Sequence, residues 1–478
     1  MILYAIILIP ILGAIVAALF PSERFRAWIV PATAIPHLGI VFYAIYLRPP
    51  ETAGGMLGLD PLGALILLVV SLIFVANSIY AIGYFSSHAS WGNRTFISCL
   101  LLFLAAMSLA SVARHLGLLW VAVETTTLVS APLIYYNRSR FSIEATWKYL
   151  LLCSVGIALA MLGILFVAYA GLHGNGAVNI TLDNLIANAG TFSKPWLRAG
   201  FIFLLVGFGT KMGLAPLHTW KPDAYGEAPG MIGGLLAGGL TSVAFLAILR
   251  AVQIMRAAGE QQLCRHALLG MGVTSLLVAA IFVIRQRDIK RMLAYSSVEH
   301  MGILAIGVSV GGLAAYGAMF HVLNNALTKS ALFLSAGNIH RYYGSKRRCE
   351  ILGSINVLPY SGIAFLVGFL AIAGSPPFAL FLSEFTILRG IFGGGYFILG
   401  AIFITLLVII FIGMGSTVLP VTLGPSYEET DSPYFKETVW TTISPILLLL
   451  IILILGIYLP EPLQNMFKQA AALVEIGR

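Results

Sequence analysis

Lys211 is the residue whose surroundings in this sequence point most directly to chemistry. It lies in a long apolar segment, with Gly207 and Gly209 just before it and Gly213 and Pro216 just after it. This density of glycine and proline loosens or breaks helical hydrogen bonding. A lysine at membrane depth costs several kcal/mol and is normally tolerated only where it faces a protein interior or a watery cavity. A broken helix that carries a buried charge is typical of an ion pathway.

A carboxylate lies in a second apolar segment, which makes an acid–base pair possible. Glu124 is near the middle of the segment from Leu118 to Pro132. A carboxylate at that depth needs a partner, and Lys211 is the nearest candidate. Each group would change the proton affinity of the other, so opening or closing the pair could release or capture a proton on Lys211. The alternative is a static ion pair that locks two helices together.

A third apolar segment carries His321, Asn325 and Lys329 at intervals of four residues. On a helix this spacing puts them on one stripe, about 12 Å from end to end, which can hold a file of water molecules. His321 alone would fit a satisfied core residue. Glu384 lies in a further apolar segment, beyond the interruption Gly374-Ser-Pro-Pro377. Together with Lys329 and Glu384, the histidine favours a proton relay.

Several further polar residues are weaker candidates for the same pathway. Lys148 can either extend to the membrane surface or pair with Glu124 or Asp223. Arg287, Lys290 and Arg291 are interpreted as orientation signals in a loop. The possible pathway residues are Lys148, His218, Asp223, Ser242, Glu299, His300 and Asn325.

The composition predicts a polytopic membrane protein. Of 478 residues 59% are hydrophobic and 10% are charged, against about 25% charged residues in soluble domains. The net charge of +9 arises mainly from short loops, so we expect no nucleic-acid partner. The four cysteines are scattered and form no C-x-x-C pair, so the sequence predicts no metal site, no cofactor and no catalytic redox centre in this chain.

The apolar runs predict an all-α fold of about fourteen transmembrane helices, two of them broken. The first run, Met1 to Phe20, has no basic flank or cleavage site and is kept as a span. The predicted spans are 1–20, 27–47, 61–83, 96–113, 115–136, 146–171, 198–217, 229–254, 266–284, 291–311, 314–337, 356–391, 395–420 and 438–459.

Lysine and arginine are distributed unequally between the two sets of loops. Sixteen, Lys221 among them, follow odd-numbered spans and eight follow even-numbered spans. The positive-inside rule then places both termini on the outer side.

The two interrupted helices are five spans apart, which predicts inverted repeats. The expected division is 1–95 for helices 1–3, 96–256 for the first repeat (helices 4–8), 265–421 for the second repeat (helices 9–13), and 422–478 for helix 14 and the C-terminal tail.

Three motifs carry a resemblance to a known superfamily. The chain resembles the antiporter-like subunits of respiratory complex I, Mrp-type antiporters and membrane-bound hydrogenases in three segments. They are the stretch around Lys211, the segment Asp288-Ile-Lys-Arg with Ala-Tyr-Ser-Ser and His-Met-Gly after it, and the segment Asn-Ala-Leu-Thr-Lys-Ser-Ala-Leu-Phe-Leu. The segment 221–230, Lys-Pro-Asp-Ala-Tyr-Gly-Glu-Ala-Pro-Gly, is most similar to the corresponding segment of formate hydrogenlyase-type hydrogenase subunits.

The resemblance implies a function and a set of partners. Its matching positions are Glu124, Lys211, His321, Lys329 and Glu384, and it implies a hydrated polar axis that carries protons and couples them to a redox module. It also implies other membrane subunits and a soluble arm with iron–sulfur clusters and possibly nickel–iron, in a bacterial or archaeal inner membrane. A complex I-type or Mrp-type antiporter subunit using protons or sodium, and a non-conducting scaffold, remain alternatives.

The sequence departs from the family pattern at one position. The family usually has a lysine or histidine on span eight, where this chain has Ser242 or Leu235. Neither side chain can hold a proton charge, so water is expected to bridge the two halves of the axis.

Overall fold

The computed structural model describes residues 1–86, 92–175, 179–425 and 435–475. Within these ranges the regular structure is helical, with isolated β-bridges but no β-strand. Eleven of the described helices are long and apolar enough to cross a membrane. A helix suits that environment because it satisfies its backbone polar groups internally. The all-α fold is confirmed, whereas the number of fourteen spans stays a prediction.

The helices follow the predicted apolar runs closely. Those before residue 260 are α1 (Ile2–Leu19), α2 (Glu23–Leu47), α3 (Pro61–Ser86), α4 (Arg94–Val112), α5 (Leu116–Ile134), α6 (Arg140–Asn175), α7 (Leu182–Asn188), α8 (Lys194–Met212), α9 (Trp220–Glu227), α10 (Gly230–Leu235) and α11 (Thr241–Ala257). Those after it are α12 (Gln261–Val283), α13 (Ile289–Val310), α14 (Gly312–Tyr343), α15 (Ser354–Val357), α16 (Pro359–Ile372), α17 (Ala379–Gly393), α18 (Phe397–Leu423), α19 (Val439–Ile457) and α20 (Glu461–Val474).

The division of the chain into four segments with two inverted repeats stays a prediction. Of the last predicted segment, 422–478, residues 426–434 and 476–478 lie outside the described residues.

Both predicted helix breaks are present. α8 ends at Met212, Gly213 adopts a left-handed φ of 76°, and the chain becomes helical again at Trp220. α16 ends at Ile372, Gly374 has a φ of 65°, and α17 begins at Ala379. Glycine is favoured at both positions because other residues rarely adopt a positive φ. The second break divides the predicted span 356–391 into two half-helices, whereas the first ends the predicted span 198–217 and α9 lies in the loop predicted after it.

α14 lies at the centre of the molecule. Every residue from Gly317 to Ile339 is buried. Three glycines at intervals of four, Gly230, Gly234 and Gly238, bring α10 and the π-helical turn after it close to α14, and a Cβ on any of them would press on α14 backbone atoms. Small residues at a helix interface permit this approach in a membrane.

A second set of glycines holds α8 against α6 and so fixes the position of Lys211. Gly207 lies against the backbone of Gly156 and Ala160 in α6, and Gly163 of α6 lies against the backbone of Leu204 in α8. A side chain at these positions would push the helices apart. The distance between Lys211 and its partners on α6 therefore depends on glycine contacts.

Replacing Gly207 with alanine tests this dependence. A Cβ there would lie 2.5 Å from the Ala160 nitrogen and 2.6 Å from the Gly156 oxygen, so α8 must move, at a cost of about 1–3 kcal/mol. Gly209→Ala is the matched control, because its Cβ would lie 3.4 Å from Cε of Met271, an ordinary contact. We expect Gly207→Ala to unfold at a lower temperature than Gly209→Ala in the same detergent. Equal midpoints would contradict the close α6–α8 contact.

Candidate functional site

Lys211 is the centre of a first polar cluster, which consists of Glu124, Thr127, Ser130, Tyr149 and Lys211. The lysine is fully buried. Its Nζ donates to Oγ1 of Thr127 at 2.6 Å and to the hydroxyl oxygen of Tyr149 at 2.9 Å. α5 supplies the threonine and α6 the tyrosine. The last turn of α8 thus meets hydroxyl groups from two neighbouring helices.

The expected Glu124–Lys211 pair is bridged rather than direct. Thr127 donates to Oε2 of Glu124 at 3.1 Å, and Ser154 donates to Oε1 at 3.2 Å. Within the described residues the lysine makes no ion pair with the carboxylate. The physical reason is the three-residue spacing of Glu124 and Thr127, which puts both on one face of α5 with the hydroxyl nearer α8.

Tyr149 extends the first polar cluster beyond what the sequence analysis identified. Its hydroxyl lies 2.7 Å from Oγ of Ser130, and its ring centre lies 4.8 Å from Nζ of Lys211. Hydroxyl groups both donate and accept hydrogen bonds, so these contacts can pass a proton. In the sequence, Tyr149 is distinguished only by its position in an apolar run. Tyrosine is common in such runs, so this position did not single it out.

Lys148 and Asp223 lie apart from Lys211, in an ion-pair group at one rim of the protein. Nζ of Lys148 is 2.7 Å from Glu144 and 3.0 Å from Asp223, and Asp223 also accepts from Arg291 at 2.8 Å. The Lys148 side chain is 47% exposed. Of the two partners considered for Lys148, the structure places it with Asp223 and not with Glu124.

The second polar cluster consists of Glu299, His300, His321, Lys329, Ser383 and Glu384. Nδ1 of His300 lies 3.0 Å from Nε2 of His321, and Nδ1 of His321 lies 2.9 Å from Oγ of Ser383. Nζ of Lys329 donates to the carbonyl oxygen of Leu293 at 3.2 Å. Both histidines and the lysine are fully buried. The structure therefore brings α13, α14 and α17 together through polar side chains.

Glu384 faces the second helix break. Its carboxylate lies against Gly374, where a Cβ would overlap it. Glu299 and Glu384 both line a small cavity of about 20 Å³, whose other walls are apolar residues of α16 and α18. Ser296 donates to Glu299 at 3.1 Å. The cavity joins two carboxyl groups that are 85 positions apart in the sequence.

The remaining candidates on the stripe and in the first break are buried. Asn325 lies on α14 between His321 and Lys329, and both its amide oxygen and its amide nitrogen lack a hydrogen-bond partner among the described residues. His218 lies in the linker between α8 and α9, and its Nδ1 is likewise without a partner in the described part of the chain. Buried polar atoms of this kind are commonly satisfied by water.

Ser242 does not connect the two clusters directly. Its hydroxyl donates to the carbonyl oxygen of Gly238 at 2.5 Å, within its own helical segment. Leu235, the alternative position, is fully buried and apolar. Neither residue supplies a charge between Lys211 and Lys329.

Lys221 was wrongly assigned to a loop. It is fully buried, and its Nζ donates to Oγ of Ser297 at 3.2 Å. The error arose because the chain re-enters the protein as α9 after the break at Gly213, so that a short helix stands where a loop was expected. Lys290 was also counted as a loop charge, but it is buried and donates to the carbonyl oxygen of Ala228 at 2.8 Å.

One group of side chains in the described residues could hold a metal ion. Possible ligand atoms of His300, His321 and Glu384 lie within 4.8 Å of one another. The geometry is also that of a hydrogen-bonded relay, since the two imidazole rings already share a hydrogen bond.

The chain matches one family description and several relatives. The description "NADH:quinone oxidoreductase/Mrp antiporter, TM" covers residues 113–413. The Hydrogenase-4 component F homolog of Methylacidiphilum infernorum (isolate V4) is 32% identical over 98% of this chain and 99% of its own length. Hydrogenase-4 component B of Escherichia coli (strain K12) is 30% identical over 74% of this chain and 54% of its own length.

Solved structures show the same fold. A chain of the membrane-bound sulfane sulfur reductase, described as an archaeal respiratory membrane complex, has a TM-score of 0.89 at 21% identity, with 99% of this chain and 98% of that chain covered. A chain of the Mrp complex from Dietzia sp. DQ12-45-1b has a TM-score of 0.87 at 18% identity, with 99% and 97% covered.

The resemblance seen in the sequence is thereby confirmed over most of the chain. The family description covers more than half of the residues, and the Methylacidiphilum relative aligns with nearly all of them. This chain belongs to the NADH:quinone oxidoreductase/Mrp antiporter transmembrane family.

Proposed function

We propose that this chain carries protons across the membrane as one subunit of a hydrogenase-type redox complex. The observation that carries the proposal is the environment of Lys211, a fully buried amine bonded to the hydroxyls of Thr127 and Tyr149, with Glu124 on the far side of Thr127. An amine in this setting has acceptors for its protons and a nearby negative charge, but no fixed ion pair.

The first polar cluster acts as the loading site in this mechanism. A protonated Lys211 is stabilised by Glu124 through the Thr127 hydroxyl, which accepts from the lysine and donates to the carboxylate. When Glu124 moves away or is neutralised, the charged amine loses that stabilisation and releases its proton. Tyr149 and Ser130 offer hydroxyl groups for the departing proton.

The second polar cluster acts as the exit relay. A neutral imidazole donates from one nitrogen and accepts at the other, so His300, His321 and Ser383 form a chain along which a proton can pass. Glu384 and Glu299 lie beyond it around the shared cavity. Lys329 holds the proton before it enters this chain, as Lys211 does in the first half.

Other membrane subunits are partners of this chain, since its relatives and structural neighbours are components of multisubunit membrane complexes. The proposed partners further include a soluble arm with iron–sulfur clusters and possibly nickel, because the four cysteines of this chain are scattered and form no C-x-x-C pair. The hydrogenase assignment follows the relative that aligns over 98% of the chain. The proposed location is a bacterial or archaeal inner membrane, with both termini outside.

Replacing Lys211 tests proton carriage. Lys211→Met removes the carrier, and Lys211→Arg keeps a positive charge that does not deprotonate in proteins. We expect both to lower redox-driven proton uptake into inverted membrane vesicles by at least about tenfold, with assembly of the complex unchanged. Lys290→Met removes another buried lysine outside the polar clusters and should pump normally.

Normal pumping by Lys211→Arg would favour a static charge over a proton carrier. Equal losses in the Lys211 and Lys290 variants would indicate a packing defect. Repeating the assay with and without sodium distinguishes the Mrp-type alternative, which predicts that net proton movement depends on sodium in the medium.

Purification of the intact complex tests the partnership. We expect mass spectrometry and metal analysis to find at least one soluble subunit with iron–sulfur clusters or nickel. Ion transport by this chain alone in liposomes would contradict the requirement for a redox partner.

Reporter fusions test the orientation. An excess of basic residues, thirteen against seven, survives when the buried Arg26, Lys221, Lys290 and Arg250 are left out of the count. We therefore expect a reporter at the C-terminus to be active on the outer side and one inserted at Arg347, whose side chain is exposed, to be active in the cytoplasm. The opposite pattern would reverse the direction of the pathway.

A further inference from the structure

Lys221 is a buried lysine that belongs to neither polar cluster. It is fully buried on α9, the half-helix after the first break. Among the residues that the structure describes, no carboxylate lies within ion-pair distance of it. Burying an unpaired amine is costly, so its presence here requires a compensating contact or a function.

Its contacts place Lys221 beside the first polar cluster. The side chain lies across Gly213, where a Cβ would overlap its Cδ and Cε. Gly213 follows Lys211 by two residues. The preceding residue, Trp220, packs on the ring of Tyr149 with 5.0 Å between ring centres. The lysine thus extends from the break that also positions Lys211.

The amino group of Lys221 points toward the second polar cluster. It donates to Ser297 of α13, and Lys329 donates to the carbonyl oxygen of Leu293 on the same helix. Positions 293 and 297 lie on one face of α13, about 6 Å apart along its axis. Lys329 is also close enough to act electrostatically on Lys221. Lys221 therefore lies near Lys329 by way of α13, and against the break that follows Lys211.

Lys221 does not cap the broken helix. A capping lysine would donate to the carbonyl groups that the break leaves without helical partners. Instead, in the described part of the chain, the hydrogen bond of its amine goes to a hydroxyl on a different helix. The hydroxyl of Tyr225, whose ring centre is 5.8 Å from the amine, is buried and lacks a hydrogen-bond partner among the described residues. The site therefore holds polar groups suited to water.

We propose that Lys221 is the central proton-carrying residue of the axis. It fills the role that the family usually gives to a basic residue on span eight and that Ser242 cannot fill. A proton leaves the ammonium of Lys211, binds the neutral amine of Lys221, and then passes to the neutral amine of Lys329, so that each transfer leaves one donor neutral and one acceptor charged. This inference rests on the proposed proton transport.

Substitutions in the assembled complex test the inference. Lys221→Met and Lys221→Arg are each expected to lower the rate of redox-driven proton uptake by at least about tenfold. Lys290→Met, at a buried lysine on α13 outside both clusters, is expected to stay within about twofold of the parent complex. Assembly is checked by size-exclusion chromatography of each variant.

The Lys211→Met variant, measured in parallel, distinguishes a failure of the role proposed for Lys221 from a failure of the proposed proton transport. If Lys211→Met stops proton movement while both Lys221 variants pump normally, the central role of Lys221 is overturned and the proposed function stands. If neither Lys211 nor Lys221 matters, the proposed function itself is wrong. Recovery of pumping in Lys221→Arg alone would overturn proton carriage at this position and indicate a fixed charge.

A density map of the wild-type complex provides a measurement that does not depend on activity or on folding of a variant. We expect ordered water molecules within hydrogen-bond distance of Nζ of Lys221 that continue toward both Lys211 and Lys329. An amine enclosed by dry apolar side chains on either side would overturn the inference.

Discussion

The cost of holding an amine at membrane depth constrains the rest of this structure. Lys211, Lys221 and Lys329 are each fully buried and donate to neutral oxygen atoms of hydroxyl or carbonyl groups. By contrast, Arg250 is bound by both oxygens of Asp60. A bidentate ion pair fixes the charge of both groups, whereas a hydroxyl can also donate to a neutral amine. Lys211 and Lys221 thus have hydroxyl partners that suit both charge states, and a neutral Lys329 can still donate to the carbonyl oxygen of Leu293; Arg250 stays charged in any setting.

The two helix breaks meet this constraint in the same way. In each, a glycine with positive φ ends the first half-helix, and an ionisable side chain from the second half-helix lies against that glycine: Lys221 against Gly213 and Glu384 against Gly374. The missing side chain makes the space, and the broken helix leaves polar backbone groups nearby. At membrane depth such a break needs protein or a water-filled cavity beside its polar groups; Gly213 and the side chain of Lys221 are buried, whereas Pro216, Pro376 and Pro377 are exposed.

The sequence was sufficient to predict those features that a single segment shows by itself. A run of about twenty apolar residues predicts a span, clustered glycine and proline predict a break, and Lys211, Lys329 and Glu384 each interrupt an apolar run. Thr127 and Tyr149 could not be found in this way, because hydroxyl groups are common in spans and their contacts depend on which helix lies opposite. The sequence also could not reveal that Lys221 is buried, since α9 has eight residues and is too short for a span.

α13 links these observations, because it is the wall on which the two halves of the axis meet. Along one helix, Leu293 binds Lys329, Ser297 binds Lys221, and His300 binds His321. A shift of α13 by about one turn, 5.4 Å along its axis, would change all three contacts at once. Packed helices have discrete arrangements rather than a continuous range, so movement of this helix can connect and disconnect proton carriers in concert. Lys211 binds α5 and α6 instead, so α13 bears on the transfers that involve Lys221, Lys329 and His321 and not on the loading of Lys211.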